Sequence, residues 1–241
     1  MGPAPLPLLG TFHELSVAVD DVRAAVEFYE RLGFAQATTG DTFTHPYGVL
    51  SDGRVFVGLH RRAGASPVLT FVRPRLAQRL PAFADAGIEL ERVQTGEEVF
   101  NELLFRDPFG HAVAVLEART YSPLDPRAGS LCGDFAEISL PASDFAAARA
   151  YWEPLGFVAA GEAESPYPHL PLTSDHLDLS FHPPRLCAHA MLVFRDPEMP
   201  ARLARLRERG VPLRAAGGLG ADAAFIEGPD GTPLLLLTGG D

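Results

Sequence analysis

The sequence contains no lysine and little cysteine. All 20 basic residues are arginines, which excludes Schiff-base chemistry on a lysine, a pyridoxal-phosphate lysine and a Walker A nucleotide site. Two cysteines, Cys132 and Cys187, are too few for a disulfide framework or a cysteine-based zinc site. The two thiols fit a reducing compartment, so we expect a cytoplasmic protein, although one bridge between them stays open.

Positive charge and long apolar runs are also scarce. The chain has 31 acidic and 20 basic residues, a formal net charge of -11, and no basic stripe. We therefore expect neither nucleic acid nor a membrane as a partner. No apolar run approaches the roughly 20 residues of a membrane helix. Met1–Leu9 lacks the features of a signal peptide, and no GxSxG motif marks a serine nucleophile.

What the sequence does contain is an internal repeat. Residues 13–34 (HELSVAVDDVRAAVEFYERLGF) match residues 136–157 (AEISLPASDFAAARAYWEPLGF) at nine of 22 positions. At the same offset, residues 68–90 match residues 191–213 at seven of 23 positions. A match that keeps register over this distance indicates a duplicated chain.

The repeat divides the chain into two similar halves. Between them lies a segment rich in proline, glycine and serine, which is typical of a linker. We therefore predict a first domain over 11–119, a linker over 120–134 and a second domain over 135–238.

Each half divides again into strand–helix–strand units. Leu15, Val17 and Val19 alternate with small or polar residues, which predicts a half-buried strand. Asp21 is the expected N-cap of a helix that Gly33 ends. Further strands are predicted on both sides of the turn SDGR. The cycle then restarts, and the remaining elements are a strand over Val68–Val72, a helix over Pro74–Ala86, and strands near Val99–Arg106 and His111–Glu117.

These motifs resemble the vicinal oxygen chelate superfamily, which includes glyoxalase I, extradiol dioxygenases, fosfomycin-resistance enzymes and bleomycin-resistance proteins. The resemblance is carried by VEFYERLGF, by DPFG before a final apolar strand, and by AYWEPLGF and GPDG in the second half. It implies an α+β fold of four βαβββ modules. These modules would form two tandem glyoxalase-like domains, each a curled mixed sheet with helices outside and a ligand-binding cup.

The resemblance also implies four metal-ligand positions in each cup. In this sequence they fall on Glu14, Gly58, Val68 and Ala114 in the first half and on Glu137, Phe181, Met191 and Leu235 in the second. Only the two glutamates can coordinate a divalent ion. We therefore expect no metal or other cofactor, with a divalent metal as the alternative.

The histidines are the other side chains near these positions that can coordinate a divalent metal. His13 has the opposite strand parity to Glu14 and is expected to point away from the cup. His60 shares the parity of Gly58 and is placed to reach the cup. For each histidine, an imidazole at the surface or the sheet edge is nevertheless the favoured interpretation.

A Glu-x-Ser pattern recurs on the opening strand of both halves. It places Glu14 and Ser16 in the first cup, and Glu137 and Ser139 in the second. The repeat itself, or capping of a backbone amide, is one explanation. The other is that each glutamate anchors a polar or cationic ligand in an apolar hollow. Desolvation would raise the pKa of such a carboxyl and make Glu14 or Glu137 a conceivable general base.

The predicted function follows from this cup. We expect a metal-free, bleomycin-resistance-like protein, not an enzyme, that binds a small cationic or aromatic molecule as a monomer or homodimer. The alternative is an enzyme of the superfamily: a metal-dependent lyase, isomerase or dioxygenase, or a glutamate-based acid–base catalyst. The working site is expected in the N-terminal half. The residues expected to bind the ligand are Glu14, Ser16, His45, Tyr47, Gly58, His60, Ala114, Glu137 and Ser139.

Overall fold

The computed structural model describes residues 7–38, 43–118, 129–220 and 222–239. The first half begins with strand β1 and helix α1. Its elements are β1 (Thr11–Ala18), α1 (Val22–Arg31), β2 (Ala35–Gln36), β3 (Tyr47–Ser51), β4 (Phe56–His60), β5 (Val68–Arg73), α2 (Leu80–Asp85), β6 (Leu90–Gln94), β7 (Glu102–Arg106) and β8 (Ala112–Glu117).

The second half repeats this order of elements. They are β9 (Asp134–Pro141), α3 (Phe145–Trp152), β10 (Val158–Ala159), β11 (Leu170–Thr173), β12 (Asp178–His182), β13 (Met191–Asp196), α4 (Met199–Glu208), β14 (Arg214–Ala215), β15 (Ala224–Glu227) and β16 (Pro233–Thr238). No helix among the described residues is long and apolar enough to cross a bilayer.

Each half forms one eight-stranded mixed sheet with the same topology. The strand orders are β2-β3-β4-β1-β5-β8-β7-β6 and β10-β11-β12-β9-β13-β16-β15-β14. The two central strands of each sheet pair antiparallel, β1 with β5 in the first sheet and β9 with β13 in the second. On its other side each central strand pairs parallel, as β1 does with β4 and β13 with β16. Two modules therefore share each sheet, and the predicted α+β architecture of two tandem glyoxalase-like sheets is confirmed.

The helices cover one face of each sheet. Asp21 caps α1 by accepting hydrogen bonds from the backbone amides of Arg23 and Ala24, as its position predicted. The buried side of α1 packs on Leu15 and Val17 of β1 in a shared apolar core. Because side chains alternate along a strand, Glu14 and Ser16 point to the opposite face, which we call the cup face.

The two halves interlock through equivalent aromatic residues. Trp152 of α3 is fully buried, and its Nε1 donates to Asp107 Oδ2 of the first half at 3.2 Å. Tyr29, the equivalent residue of α1, is fully buried as well. The core continues across the halves, and the Phe34 and Phe194 rings lie 6.2 Å apart. These contacts make Trp152 a packing residue between the halves.

One local expectation, the length of a helix, needs correction. Another, the linker, concerns residues that the structure does not describe. The predicted helix over Pro74–Ala86 is shorter, because Leu76–Arg79 forms a 3-10 turn before α2. A further strand, β6, precedes the one predicted near Val99–Arg106. Residues 120–128 of the predicted linker fall outside the described residues, so the domain boundaries stay predictions.

Candidate acid–base site

The register of the first sheet brings the cup residues side by side. Ser16 lies between Gly58 of β4 and Val68 of β5, and Glu14 lies beside Thr70. Thr70 in turn pairs with Ala114 of β8. Val68, Ala112 and Ala114 form a small buried apolar cluster that is separate from the core under the helices. The cup is therefore lined by small apolar groups around one carboxylate.

A β-bulge changes the position of His13. The pairing of β1 with β5 shifts register between Phe12 and Glu14, so strict alternation fails at this residue. His13 Nε2 consequently lies 3.7 Å from Glu14 Oε2. His13 was expected to point away from the cup, but its imidazole lies beside the cup carboxylate of Glu14. The second half has the same irregularity between Phe135 and Glu137.

The Glu14 carboxylate is buried and accepts two short hydrogen bonds at one oxygen. Ser16 Oγ donates to Oε1 at 2.6 Å, and His60 Nε2 lies 2.7 Å from the same atom. Thr70 Oγ1 lies 2.7 Å from Ser16 Oγ. Because Ser16 gives its single proton to Glu14, Thr70 donates to Ser16. The other oxygen, Oε2, is buried and has no hydrogen-bond partner among the described residues.

His60 extends this arrangement to a second imidazole. It is 1 % exposed, and its Nδ1 lies 3.0 Å from His45 Nε2. An ionised carboxylate only accepts, so His60 carries its proton on Nε2, and its Nδ1 accepts from His45 Nε2–H. The surface or edge position favoured for the histidines is therefore wrong for His60. Glu14, His60 and His45 form one hydrogen-bonded chain.

Aromatic rings surround the histidine end of the chain. The Tyr47 ring stacks on His60 at 5.9 Å and an interplanar angle of 8°. Phe43 lies edge-on to His60 at 4.9 Å and also contacts Phe100 at 5.8 Å. Phe100 is 38 % exposed, so this aromatic group reaches solvent beside His45.

Burial and hydrogen bonding set the charges in opposite ways. Burial alone raises the pKa of Glu14, but the His60 hydrogen bond, the charges of His13 and His60 and the Ser16 hydrogen bond together lower that pKa below its usual value. The expected rise in the Glu14 pKa is thus wrong. Burial lowers the pKa of His45, and the neighbouring charges of His60 and Arg62 lower that pKa further. The site therefore holds an ionised carboxylate and, at its outer end, a neutral imidazole.

The second cup is packed with larger apolar side chains. Buried there are Tyr167, Met191, Val193, Ala216, Ala223, Phe225, Leu235 and Leu237. Glu137 accepts from Ser180 Oγ at 2.8 Å and from the Tyr167 hydroxyl at 3.3 Å. Large apolar side chains therefore occupy part of this cup, and two hydroxyl groups donate to its glutamate.

His182 is the counterpart of His60 but does not reach the glutamate. The pairings Ala18–His60 and Pro141–His182 are equivalent in the two sheets. His182 Nε2 donates to the Cys187 carbonyl at 3.0 Å, and Nδ1 lies 2.8 Å from Ser139 Oγ. Burial lowers the pKa of His182 to about 4, so this imidazole is neutral.

The difference between the cups originates at one strand position. Ser16 pairs with Gly58, whereas Ser139 pairs with Ser180. The assignment of Phe181 to the cup is therefore wrong by one residue, and Phe181 packs in the core beneath the sheet. The Glu14 carboxylate lies over Gly58, where a Cβ would overlap it. Ser180 has a Cβ at the equivalent place, which is incompatible with the Glu14 arrangement.

The structure thus brings together the predicted residues of the first cup. Glu14, Ser16, Gly58 and His60 are in direct contact, with His45 and Tyr47 at the outer end and Ala114 on the floor. Glu137 and Ser139 lie in the separate second cup. Sequence reasoning missed Thr70, Phe43 and the contact of His13. The strand parity of Thr70 with Val68 was a usable signal, and so was the spacing of three residues between the core residues Phe12 and Leu15, which breaks the alternation at His13.

The side chains present do not complete a metal centre of the kind the fold implies. The described residues contain no group of three histidine, cysteine, aspartate or glutamate side chains placed to hold an ion. Gly58, Val68 and Ala114 bring no ligand atom. Glu14 Oε1 and His60 Nε2 hydrogen-bond to each other, so neither atom is directed at a common metal position.

Comparison with known proteins found solved structures only. No family model matches the chain, and no curated protein does. A catechol 2,3-dioxygenase matches with a TM-score of 0.59 and 14% identity, covering 98% of this chain and 94% of that one. The 2,3-dioxygenase LapB from Pseudomonas sp. KL28 matches with a TM-score of 0.65 and 17% identity, covering 99% and 94%.

A third match adds a ligand-bound structure. It is a variant of homoprotocatechuate 2,3-dioxygenase from B. fuscum in complex with HPCA, with a TM-score of 0.63 and 16% identity, covering 96% of this chain and 72% of that chain. The chain has the vicinal oxygen chelate fold. The matches extend over both halves, so the vicinal oxygen chelate resemblance is confirmed in its tandem, two-domain form.

The comparison corrects three expectations. The matched structures are ring-cleaving dioxygenases, which are enzymes, so the prediction of a metal-free binding protein and that of a non-enzyme are both wrong. The alternative, an enzyme of the superfamily, is favoured instead. The expectation of no cofactor is wrong on the same ground, because extradiol dioxygenases depend on a divalent metal.

Proposed function

We propose that the protein is an enzyme that transfers protons on a small molecule bound in the N-terminal cup. The observation that carries the proposal is the buried chain of hydrogen bonds from Glu14 through His60 to His45, with spacings of 2.7 and 3.0 Å. As in a catalytic triad, a carboxylate orients one imidazole through a hydrogen bond. Here that imidazole accepts a further hydrogen bond from a second imidazole.

Each residue of the hydrogen-bonded chain has its own role. Glu14 fixes the tautomer of His60 and stabilises the imidazolium that forms when a proton arrives. His45 at the outer end has a lowered pKa and is neutral near pH 7, so its Nδ1 can take a proton from a substrate. Transfer of the Nε2 proton of His45 to His60 Nδ1 then places the positive charge beside Glu14. Reversal of these steps returns a proton to the product.

The surroundings favour a planar, aromatic substrate. Phe43, Tyr47 and Phe100 supply ring faces and edges at the histidine end. Val68 and Ala114 supply an apolar floor. An apolar hollow with a few converging polar groups is the usual form of a small-molecule site.

A second candidate is a metal-dependent ring-cleaving oxygenase, which the solved dioxygenase structures favour. Within the described residues, Glu14, His60, His45 and His13 are side chains of a suitable ligand type near this cup, and no three of them are placed to hold one ion.

Deuterium exchange tests the first candidate without knowledge of the natural substrate. The protein is incubated in D2O with a panel of aryl ketones and aryl 2-oxo acids, and loss of the C–H signal next to the carbonyl is followed by proton NMR. We expect exchange to fall about 100-fold or more in His60→Gln, the usual range for a lost general acid–base group. His182→Gln, the matched change in the second cup, is the control and is expected to retain the rate.

The same samples separate the two candidates. Catechols are added in air with Fe(II) or Mn(II), and ring cleavage is followed by absorbance. Ring cleavage that requires the added metal, with no exchange on the panel, would replace the acid–base proposal by the oxygenase. Exchange that persists in His60→Gln would remove the histidine chain from the mechanism.

We further propose the setting in which this enzyme works. The two unbridged cysteines support a cytoplasmic location. The partner is a small molecule and not nucleic acid, given the acidic charge, and the chain acts as a monomer or homodimer. Domains over 11–119 and 135–238, joined by the 120–134 linker, would each supply one cup.

A further inference from the structure

We propose that a second cavity, in the C-terminal half beside Arg195, binds a small carboxylate anion. This cavity has a volume of about 370 Å³, within the range of small-molecule sites. Its charged and polar walls include Arg54, Asp134, Glu137, His169, Asp178 and Arg195. It shares no residue with the Glu14–His60–His45 chain and is independent of the proposed function.

Arg195 is an arginine whose buried side-chain donor, Nε, is left without a hydrogen-bond partner in the described part of the chain. No carboxylate in that part of the chain lies within ion-pair distance of its guanidinium, although three carboxylates line the same cavity. A buried charged donor without an acceptor is unfavourable. An anion bound in the cavity would supply the acceptor that this guanidinium lacks.

The position of Arg195 on the sheet explains why the neighbouring acids do not satisfy it. Arg195 pairs with Asp134 across β13 and β9, but the Asp134 carboxylate is directed to Arg54, 3.9 Å away. Glu137 accepts its hydrogen bonds from Ser180 and Tyr167 instead. Asp134 and Glu137 therefore make their contacts with other residues.

Arg195 is also absent from the first half of the repeat. Val72 occupies the equivalent place, because Val72 pairs with Thr11 as Arg195 pairs with Asp134. Val72 is buried and apolar. The arginine is thus a feature of this cavity alone and does not follow from the duplicated architecture.

The chemistry of the walls selects a carboxylate on an apolar body. A guanidinium presents a planar fork of donors that matches a carboxylate. Phe135, Leu172 and Leu179 line the same cavity and offer apolar surface. The buried His169 has its Nδ1 at 2.8 Å from the Tyr167 carbonyl, which leaves its Nε2 as an acceptor for a hydroxyl group of the ligand.

Calorimetric titration of the full chain with sodium benzoate tests this site. We expect saturable binding at one site, with benzamide, the neutral isostere, binding at least tenfold more weakly. Arg195→Gln should weaken benzoate at least tenfold, about 1.4 kcal/mol, and Arg195→Lys should restore part of the loss. Arg205→Gln removes the same charge from the exposed face of α4 and should leave the affinity unchanged.

Three results would overturn the proposal. They are the absence of saturable binding up to about 10 mM benzoate, equal affinity in Arg195→Gln, and equal affinity for benzamide. Binding that is lost in His60→Gln but kept in Arg195→Gln would assign benzoate to the first cup and overturn it as well. Thermal unfolding of each variant shows that a lost titration signal reflects the site and not the fold.

Discussion

The carboxylate of Glu14 lies directly over the α-carbon of Gly58, in space that any side chain at residue 58 would occupy. This contact lets Glu14 reach across the strand to His60. Ser180 stands at the equivalent position of the second half, and there His182 bonds to Ser139 and to a backbone carbonyl instead. One absent Cβ thus separates a cup with a carboxylate–imidazole pair from a cup without one.

Gly58→Ala is expected to displace the Glu14 carboxylate while leaving the protein folded. The added methyl group overlaps a flexible side chain, and overpacking of this kind costs about 1–3 kcal/mol. Proton exchange should fall about 100-fold because His60 loses its partner. The ¹⁵N signals of His60 should change at the same time.

Gly48→Ala is the matched control on the adjacent strand β3. A Cβ there would meet the Val22 and Val26 side chains at 3.4 Å, an ordinary contact distance. This variant should keep both the exchange rate and the His60 signals. An unchanged His60 spectrum in Gly58→Ala would contradict the role assigned to the glycine.

Glu14 is expected to make the protein sensitive to acid. Its pKa is lowered on folding from the ordinary value of 4.5, so its contribution to stability is complete above that value. The contribution is lost as the pH falls through the lower folded pKa. Denaturant unfolding between about pH 7 and about pH 3 should therefore show a shallower acid loss in Glu14→Gln than in the parent.

Glu14→Gln should also lower the unfolding free energy near neutral pH. Hydrogen bonds to a charged group contribute about 1.5–3 kcal/mol, and glutamine keeps the shape without the charge. Equal acid sensitivity of the two proteins would show that the carboxylate is not held ionised in the fold.

As the pH falls, His182 is expected to cause a second loss of stability, which begins at a higher pH than the loss due to Glu14. Burial lowers its pKa from 6.5 to about 4, so the unfolded chain takes up a proton before the folded one does. The stabilisation by neutral His182 is complete above the unfolded pKa and declines as the pH falls toward about 4. It amounts to at most about 3 kcal/mol, at 1.36 kcal/mol per pKa unit.

The matched measurement compares His182→Gln with His176→Gln, a change at an exposed residue of the same half. Only His182→Gln should flatten the pH dependence of the unfolding free energy in this window. A flat profile in the parent protein would rule out a buried, neutral His182.

The contact between the halves should respond to removal of one hydrogen bond. Trp152→Phe keeps an aromatic ring in the core but deletes the N–H that donates to Asp107 and removes part of the ring volume. We expect a loss of about 1.5–3 kcal/mol, the range for a hydrogen bond to a charged group, in denaturant unfolding followed by circular dichroism. Phe157→Leu, a change at a buried neighbour of Trp152 without a polar group, controls for altered packing. A stable Trp152→Phe protein would show that this link is not needed.

Much of the site could be read from the sequence because strands alternate and the chain is duplicated. The Glu-x-Ser repeat placed Glu14 and Ser16 on one face, and parity placed His60 on the same face as Gly58. The irregularity at His13 had a signal in the sequence, because Phe12 and Leu15 lie three positions apart and both contribute to the core, which breaks strict alternation between them.

The slip from Ser180 to Phe181 has a different cause. The two halves align at an offset of 123 at Glu14 and Glu137 but at 122 between His60 and His182. A fixed offset therefore points to the wrong face of β12 by one residue. The histidine that ends both strands, in FVGLH and DLSFH, was the available signal.

Charge was the property that sequence reasoning treated least well. Desolvation was expected to raise the pKa of a carboxyl in an apolar cup. Glu14, however, is bound by two donors, Ser16 on the same strand and His60, which is distant in the chain. Their hydrogen bonds outweigh the burial that raises its pKa. Such a balance depends on distances that only the folded chain sets.

The most direct test of the acid–base account is the exchange rate of Glu14→Gln compared with that of Glu137→Gln. Both changes remove the glutamate of a Glu-x-Ser pair from a buried cup, and only Glu14 contacts a histidine chain. The account predicts that Glu14→Gln loses about 100-fold or more of the deuterium exchange, while Glu137→Gln keeps it. Full exchange in Glu14→Gln, or equal losses in the two variants, would contradict it.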